Sequence, residues 1–184
     1  MNARNCRVAC VQWMTATCRD PRGRADKRLL RGRPGRWVDG CMRHNRSIPS
    51  STVIPVLSYP DVREAVTWLT ASFGFAERVR IGEAHRAQMS VGGAAVIIAD
   101  TGDGRRAPDP AVKTCSVTVR VADVQVQRDR AADHGGTILM EPTEFPFGER
   151  QCTVLDPWGH HWTFSQTMAD VAPEDWGGET IDPW

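Results

Sequence analysis

The stretch that decides the fold is ERQCTVLDPWGHHWTFSQ, residues 149–166. Two apolar-rich runs flank the turn signal Asp-Pro-Trp-Gly, a pattern typical of a strand, a tight turn and a second strand. Two adjacent histidines follow the turn, which raises the question of whether the hairpin holds a metal ion or lines a pocket without one. The answer depends on the fold to which the hairpin belongs.

The same order of elements occurs twice in the chain. Residues 51–100 and 114–166 each predict a strand, a helix and three further strands, and residues 101–113 form a polar linker rich in Gly and Pro. In the first copy Asp61 marks the start of the helix and Gly74 its end, and in the second copy Asp123 and Gly135 do so. The sequence therefore predicts an α+β fold of two tandem βαβββ modules.

Charge divides the chain into two parts. Residues 1–50 carry 12 basic and 3 acidic residues, whereas residues 51–184 carry 11 and 19. The first part has no sustained helical or strand period, so we predict a disordered basic extension, or upstream sequence translated from a start codon placed too early, with Met42 as the alternative start. Other interpretations of it are a nucleic-acid-binding arm, a transit-like peptide and a metal site. The residues of that metal site would be Cys6, Cys10, Cys41 and His44.

The same composition limits partners and location. We expect no nucleic-acid binding, because the folded part has an excess of acidic residues. We expect no membrane span and a cytoplasmic location, because the apolar runs are too short for a span and no export signal is present. Residues 167–184 are expected to form a C-terminal tail.

Two βαβββ copies in tandem resemble the vicinal oxygen chelate superfamily, which includes glyoxalase I, bleomycin-resistance proteins and extradiol dioxygenases. The resemblance is carried by IPVLSYPDVREAVTWL, FGF, FGERQCTVLDPWGHHWTFSQ and ADVAPEDWGG, and it extends from residue 52 to about residue 176. It is strongest to the glyoxalase-like, bleomycin-resistance-type branch. The resemblance implies a curved, cup-like mixed sheet with helices on the outside, and a homodimer that in some members exchanges modules between chains.

Members of that superfamily that use a metal ion place its ligands at four strand positions. The matching residues here are Ile54, Ile97, Ser116 and Thr163. Alkyl chains and neutral hydroxyls do not make up the ligand shell of a divalent ion. His160 and His161 are adjacent in a strand and point to opposite faces, so they cannot share an ion. A site built from His161, Glu149 and His85 is the alternative; we favour a His161 that lines a polar pocket and a His160 at the surface or in the turn, with neither metal nor cofactor.

The strand alternation and the resemblance together predict the residues that line the cup. The predicted ligand-binding residues are Ser116, Thr118, Arg120, Gln151, His161 and Thr163, with Phe147 and Trp158 near the mouth and Arg150 as an anchor for an anionic group. Trp158 either stacks on a ligand or forms a dimer contact, and Arg150 either anchors an anion or pairs with Glu149. The net acidic charge of the modules would attract a cationic ligand from distances up to about the Debye length.

Two classes of function fit these residues. The first is a metal-independent small-molecule-binding protein, which the resemblance links to sequestering a toxic or antibiotic compound. The second is a glyoxalase-like enzyme of the lyase or dioxygenase class that uses the same cup, with His161 as general acid or base and Arg120 or Arg150 steadying an oxyanion. The position of Glu149 separates them, because a Glu149 carboxylate that reaches His161 favours the enzyme, whereas one that pairs only with Arg150 favours the binder.

Overall fold

The computed structural model describes residues 45–181. The predictions made for residues 1–44, including the metal site at Cys6, Cys10, Cys41 and His44, lie outside the described part of the chain. Within the described part, no helix is both long and apolar enough to span a membrane.

The first module occupies residues 56–100. It consists of β1 (Val56–Tyr59), α1 (Val62–Phe73), β2 (Ala76–Ile81), β3 (Arg86–Val91) and β4 (Ala94–Asp100). Its strands form a four-stranded sheet, called sheet 1, in the order β1-β4-β3-β2. This order makes β1 and β2 the edge strands. The β1–β4 pair is parallel and the other pairs are antiparallel.

The second module repeats this arrangement. It consists of β5 (Ser116–Arg120), α2 (Val124–Asp133), β6 (Thr137–Glu144), β7 (Glu149–Leu155) and β8 (His161–Thr167). These strands form sheet 2, in the order β5-β8-β7-β6, and a short 3-10 helix, Pro173–Trp176, lies in the C-terminal tail. The predicted α+β fold of two tandem βαβββ modules is confirmed. Its strands form two separate open sheets.

Both helices begin at their predicted caps and α1 ends at the predicted Gly74, whereas the residue that ends α2 is His134, one before the predicted Gly135. Asp61 and Asp123 have extended backbones, and the side chain of each accepts hydrogen bonds from two backbone N–H groups in the first turn of its helix. These carboxylates satisfy donors that have no partner within the helix. Gly74 ends α1 in the left-handed region with φ 73°, where a glycine has no Cβ penalty.

The two helices hold the modules together on one side of the sheets. Phe73 of α1 contacts Trp162 and Phe164 of sheet 2, with ring centroids 5.4 and 4.8 Å apart. From α2, Arg130 donates to the carbonyl oxygens of Ala71 at 2.6 Å and Thr70 at 3.0 Å, at the C-terminal end of α1. A cation there compensates the unpaired carbonyls and the negative end of the helix dipole. The other face of each sheet, here called its outer face, points away from the helices.

Candidate functional site

The outer face of sheet 2 is polar and accessible. On β5, Ser116, Thr118 and Arg120 are exposed, while Val117 and Val119 between them pack against the core. The parallel pairing with β8 sets Ser116 beside His161 and Thr118 beside Thr163. The residues that the alternation placed on one face of the hairpin and the first strand therefore do share that face.

A charged cluster lies at one end of this face. The Glu149 carboxylate accepts hydrogen bonds from Ser165 at 2.6 Å, Thr167 at 2.7 Å and Arg120 at 3.3 Å. The hydrogen bonds of Ser165 and Thr167, aided by the Arg120 charge, hold the pKa of Glu149 below its usual value. Gln151 joins the cluster through a hydrogen bond of 2.9 Å to Ser165 Oγ.

His161 lies at the opposite end of the same face. Both of its ring nitrogens are buried, and neither has a hydrogen-bond partner in the described part of the chain. On the β7–β8 pair, Glu149 lies opposite Thr167. Leu155, six residues further along β7, lies opposite His161. At the rise of an extended strand that is roughly 20 Å. The Glu149 carboxylate therefore does not reach His161.

The alternative convergence of His85, Glu149 and His161 does not form either. His85 Nδ1 lies 2.9 Å from a carboxylate oxygen of Asp100 in sheet 1. Among residues 45–181, no three His, Cys, Asp or Glu side chains come together as a group that could hold a metal ion. His161 and Glu149 thus belong to separate ends of one polar face.

The hairpin turn faces the interior between the modules. Trp158 packs edge-on against Tyr59 and Trp68 of the first module, with ring centroids 5.3 and 6.1 Å apart. His160, which the sequence suggested as a surface or turn residue, is buried, and its Nε2 lies 3.0 Å from the Ser58 carbonyl oxygen. The turn side chains Trp158 and His160 therefore lie at the junction of the modules.

Two further predicted residues lie away from the outer face of sheet 2. Arg150 alternates with Gln151 and shares the helix-facing side of β7 with the buried Cys152. The predicted pair of Arg150 with Glu149 is not formed, because Glu149 binds Arg120. Phe147 stacks on Phe145 in the β6–β7 turn and contacts Trp176 of the tail.

A groove of about 470 Å³ lies where β5 of sheet 2 approaches sheet 1. Thr118 and Arg120 line it from β5, and Val53, Pro55 and residues 91–96 line it from the first module. The first-module residues of this groove were not among those predicted from the sequence to line a site. When the two repeats are aligned, Gly93 matches Gly159, so the β3–β4 turn is the counterpart of the β7–β8 turn. That match was a signal in the sequence from which the first-module residues of the groove could have been predicted.

Comparison with known proteins assigns the fold to a family. The family model of the Glyoxalase/Bleomycin resistance protein/Dioxygenase superfamily matches residues 52–164. The chain belongs to this superfamily. Membership of this superfamily, which the repeat and its motifs predicted, is thereby confirmed.

Solved structures share this fold, and curated relatives match the sequence. TioX from Micromonospora sp. ML1 is 33% identical, with a TM-score of 0.54 over 64% of this chain and 98% of TioX. A glyoxalase/bleomycin resistance protein/dioxygenase from Nocardioides shares the fold at 18% identity, with a TM-score of 0.55 over 71% of this chain and 89% of that one. An uncharacterized protein of Mycobacterium tuberculosis is 26% identical over 127 residues, which cover 64% of this chain and 75% of that protein.

Proposed function

We propose that the protein binds a small organic molecule on the outer face of sheet 2, without a metal ion and without converting the ligand. The observation that carries this proposal is His161, whose two ring nitrogens are buried without a partner among the described residues. Buried polar atoms are nearly always hydrogen-bonded in folded proteins, so such a side chain suits a ligand's donor or acceptor. The exposed hydroxyl of Thr118 and the half-buried Thr163 offer further hydrogen bonds on the same face.

The geometry supports binding over proton transfer. A general acid or base at His161 needs a second titrating group within hydrogen-bond reach of the same substrate. Glu149 is roughly 20 Å away along the strands and is already bound by three donors. The proposed activity is therefore capture of a compound, as in sequestration of a toxic or antibiotic molecule by a bleomycin-resistance-type protein.

We also propose that the binding unit is a homodimer. Val53, just before the edge strand β1, is 78% exposed, and Val56, the first residue of β1, is 49% exposed. Val53 also lines the groove beside β5. Burial of such apolar surface at an interface is favourable, at about 25 cal/mol for each Å² removed from water. A second copy that covers this edge would also close the groove. Light scattering coupled to size exclusion gives the mass, and a monomer at all micromolar concentrations would contradict the dimer.

The function is tested by screening small molecules for thermal stabilisation, followed by calorimetric titration of the compounds that bind. We expect compounds whose affinity falls about tenfold or more in His161→Ala and in Thr163→Val, since each loses a hydrogen bond to the ligand. His134→Ala removes an exposed histidine elsewhere and serves as the matched control. Binders whose affinity is the same in all three variants would place the ligand elsewhere and contradict the proposed site.

A second measurement concerns metal. The protein is dialysed against Ni²⁺, Zn²⁺, Fe²⁺ and Mn²⁺, and the bound metal is measured by elemental analysis beside His161→Ala. We expect clearly substoichiometric metal in both proteins. Stoichiometric metal that is lost in His161→Ala would make a metal-dependent enzyme the better account.

A further inference from the structure

The outer face of sheet 1 contains a donor cluster that has no counterpart in the predicted site. The pairing of β2 with β3 shifts between Glu77 and Val79, so Arg78 is the extra residue of a β-bulge opposite Gln88. Bulges redirect a side chain from its regular alternation. Arg78 Nη1 accordingly donates to Gln88 Oε1 at 2.7 Å, on the face away from the helices.

The chain's own backbone accepts two further hydrogen bonds from this pair. Gln88 is only 4% exposed, and its Nε2 donates to the Ser47 carbonyl oxygen at 2.9 Å. Arg78 Nη2 donates to the Arg46 carbonyl oxygen at 2.7 Å. Residues 45–49, here called the N-terminal strap, thus place two consecutive carbonyl oxygens on the donor cluster. Asn45 Oδ1 fixes the bend of the strap by accepting the Ser47 N–H at 2.9 Å.

A second arginine shares the face. Arg86 lies two residues before Gln88 on β3, and side chains two apart in a strand point to the same side. Its Nε is buried and has no hydrogen-bond partner among residues 45–181. Neither Arg78 nor Arg86 has a carboxylate within salt-bridge distance in that part of the chain, whereas the neighbouring Arg80 pairs with Glu77. Two arginines without an acidic partner are a local excess of positive charge.

We propose that this cluster is a subsite for the carboxylate group of a small molecule, and that the strap occupies it until the ligand displaces it. An arginine fork matches the two oxygens of a carboxylate, and such charge-assisted hydrogen bonds are roughly twice as strong as those to neutral carbonyls. The carbonyls of Arg46 and Ser47 stand in for the carboxylate oxygens at Arg78 and Gln88, and the ligand also supplies the acceptor that Arg86 lacks.

The proposal rests on the proposed function in one respect only, that the protein binds small molecules. It differs in place, because the cluster is on sheet 1 and His161 is on sheet 2. It also assigns ligand chemistry that the overall charge does not suggest, because residues 51–184 carry 11 basic and 19 acidic residues. A carboxylate is attracted to this face only by the local arginines.

The test compares two probes of the same shape, 2-naphthoate and the uncharged 2-naphthalenemethanol, titrated into the full chain by calorimetry. We expect 2-naphthoate to bind with about tenfold or greater preference over the alcohol, and Arg78→Gln and Arg86→Gln each to weaken the carboxylate about tenfold. Arg80→Gln removes one positive charge from the same strand as Arg78 but from a pair with Glu77, and should leave the affinity unchanged. Asn45→Ala, which loosens the strap, should tighten binding.

Hydrogen exchange of the strap gives a second readout that needs no variant. Saturating 2-naphthoate should increase amide exchange within residues 45–49, since the strap leaves the donors when the carboxylate binds. Equal affinity for the two probes, no saturable binding of the carboxylate, or unchanged exchange of the strap would overturn the subsite. Carboxylate binding that is lost in His161→Ala but kept in Arg78→Gln would overturn it while supporting the sheet 2 site.

Discussion

The phenol of Tyr59 donates a hydrogen bond of 2.8 Å to the buried carboxylate of Asp156, 97 residues further along the chain. Tyr59 ends β1 in the first module and Asp156 begins the turn of the second. The same carboxylate also accepts from the Trp162 indole and from the backbone N–H groups of Trp158 and His160. One acidic side chain therefore fixes the turn and joins the two modules.

Replacing this carboxylate should be costly. In Asp156→Asn the amide keeps a single acceptor oxygen, so at least one buried donor loses its partner, at about 1–3 kcal/mol for each such group. Tyr59→Phe removes one donor and leaves the carboxylate with three, and we expect a loss of about 1 kcal/mol. Urea unfolding of both variants gives the free energies. Asp170→Asn, in the exposed tail, is the control, and an Asp156→Asn loss no larger than that of Tyr59→Phe would contradict this account.

His160 should make stability depend on pH. Burial lowers the pKa of His160, opposed by the nearby Asp156 carboxylate and the Ser58 carbonyl. The unfolded chain takes up a proton near pH 6.5 while the folded imidazole stays neutral, so the unfolded state binds more protons below that pH. The free energy of unfolding should therefore fall as pH decreases from 6.5 towards the lower folded pKa, by up to about 1.4 kcal/mol per pH unit.

The measurement is denaturant unfolding between pH 7.5 and 5. His160→Gln keeps an amide donor for Ser58 and removes the titrating group, so its curve should be flatter than that of the wild type. The exposed His134 supplies the matched variant His134→Gln, which should follow the wild type. Parallel curves for wild type and His160→Gln would show that His160 does not carry the pH dependence.

The elements that the sequence predicts well are those set by local signals. Asp61 and Asp123 cap their helices, and Gly74 ends the first, because these preferences depend on a few neighbouring residues. The two faces of β5 and β8 also follow from alternation, which is a property of any strand. Repetition of the module then gives the α+β fold and the family.

The contacts made across the modules could not be predicted in the same way. Glu149 binds Arg120 instead of the adjacent Arg150, because neighbours in a strand point to opposite faces while β5 and β7 both flank β8. Trp158 lies against Trp68 because the helices bring the turn to the first module, and no spacing in the sequence encodes that approach. The bulge at Arg78, which creates the donor cluster of sheet 1, likewise leaves no clear signal in one sequence.

Cys152 should be the less reactive of the two described cysteines. Its side chain is fully buried, and burial raises the pKa of the Cys152 thiol to about 11. At pH 8 about one thiol in a thousand is then the reactive thiolate. Cys115 is exposed in the segment before β5. We expect iodoacetamide to label Cys115 at least about a hundredfold faster in the native protein, as measured by peptide mass spectrometry. Comparable labelling rates in the native protein would contradict the burial of Cys152.

Gly148 permits a close approach of the tail to the β6–β7 turn. Its backbone has φ 78°, and a Cβ at this position would lie well inside contact distance of the Ala169 carbonyl oxygen, which is backbone and cannot rotate away. The Gly148 carbonyl in turn accepts the N–H groups of Met168 and Ala169, at 2.8 and 3.1 Å. Gly148→Ala therefore combines a left-handed backbone with overpacking.

Gly92 separates these two effects. It has φ 55°, and a Cβ there would meet nothing within 4 Å. Gly92→Ala should thus show the backbone cost alone, about 1–2 kcal/mol, whereas Gly148→Ala should lose about 1–3 kcal/mol more. Urea unfolding measures both, and tail exchange should rise only in Gly148→Ala because only that variant displaces residues 168–169. Equal losses in the free energy of unfolding would mean that the tail can move away from the turn at little cost. Its packing on the turn would then contribute little to stability.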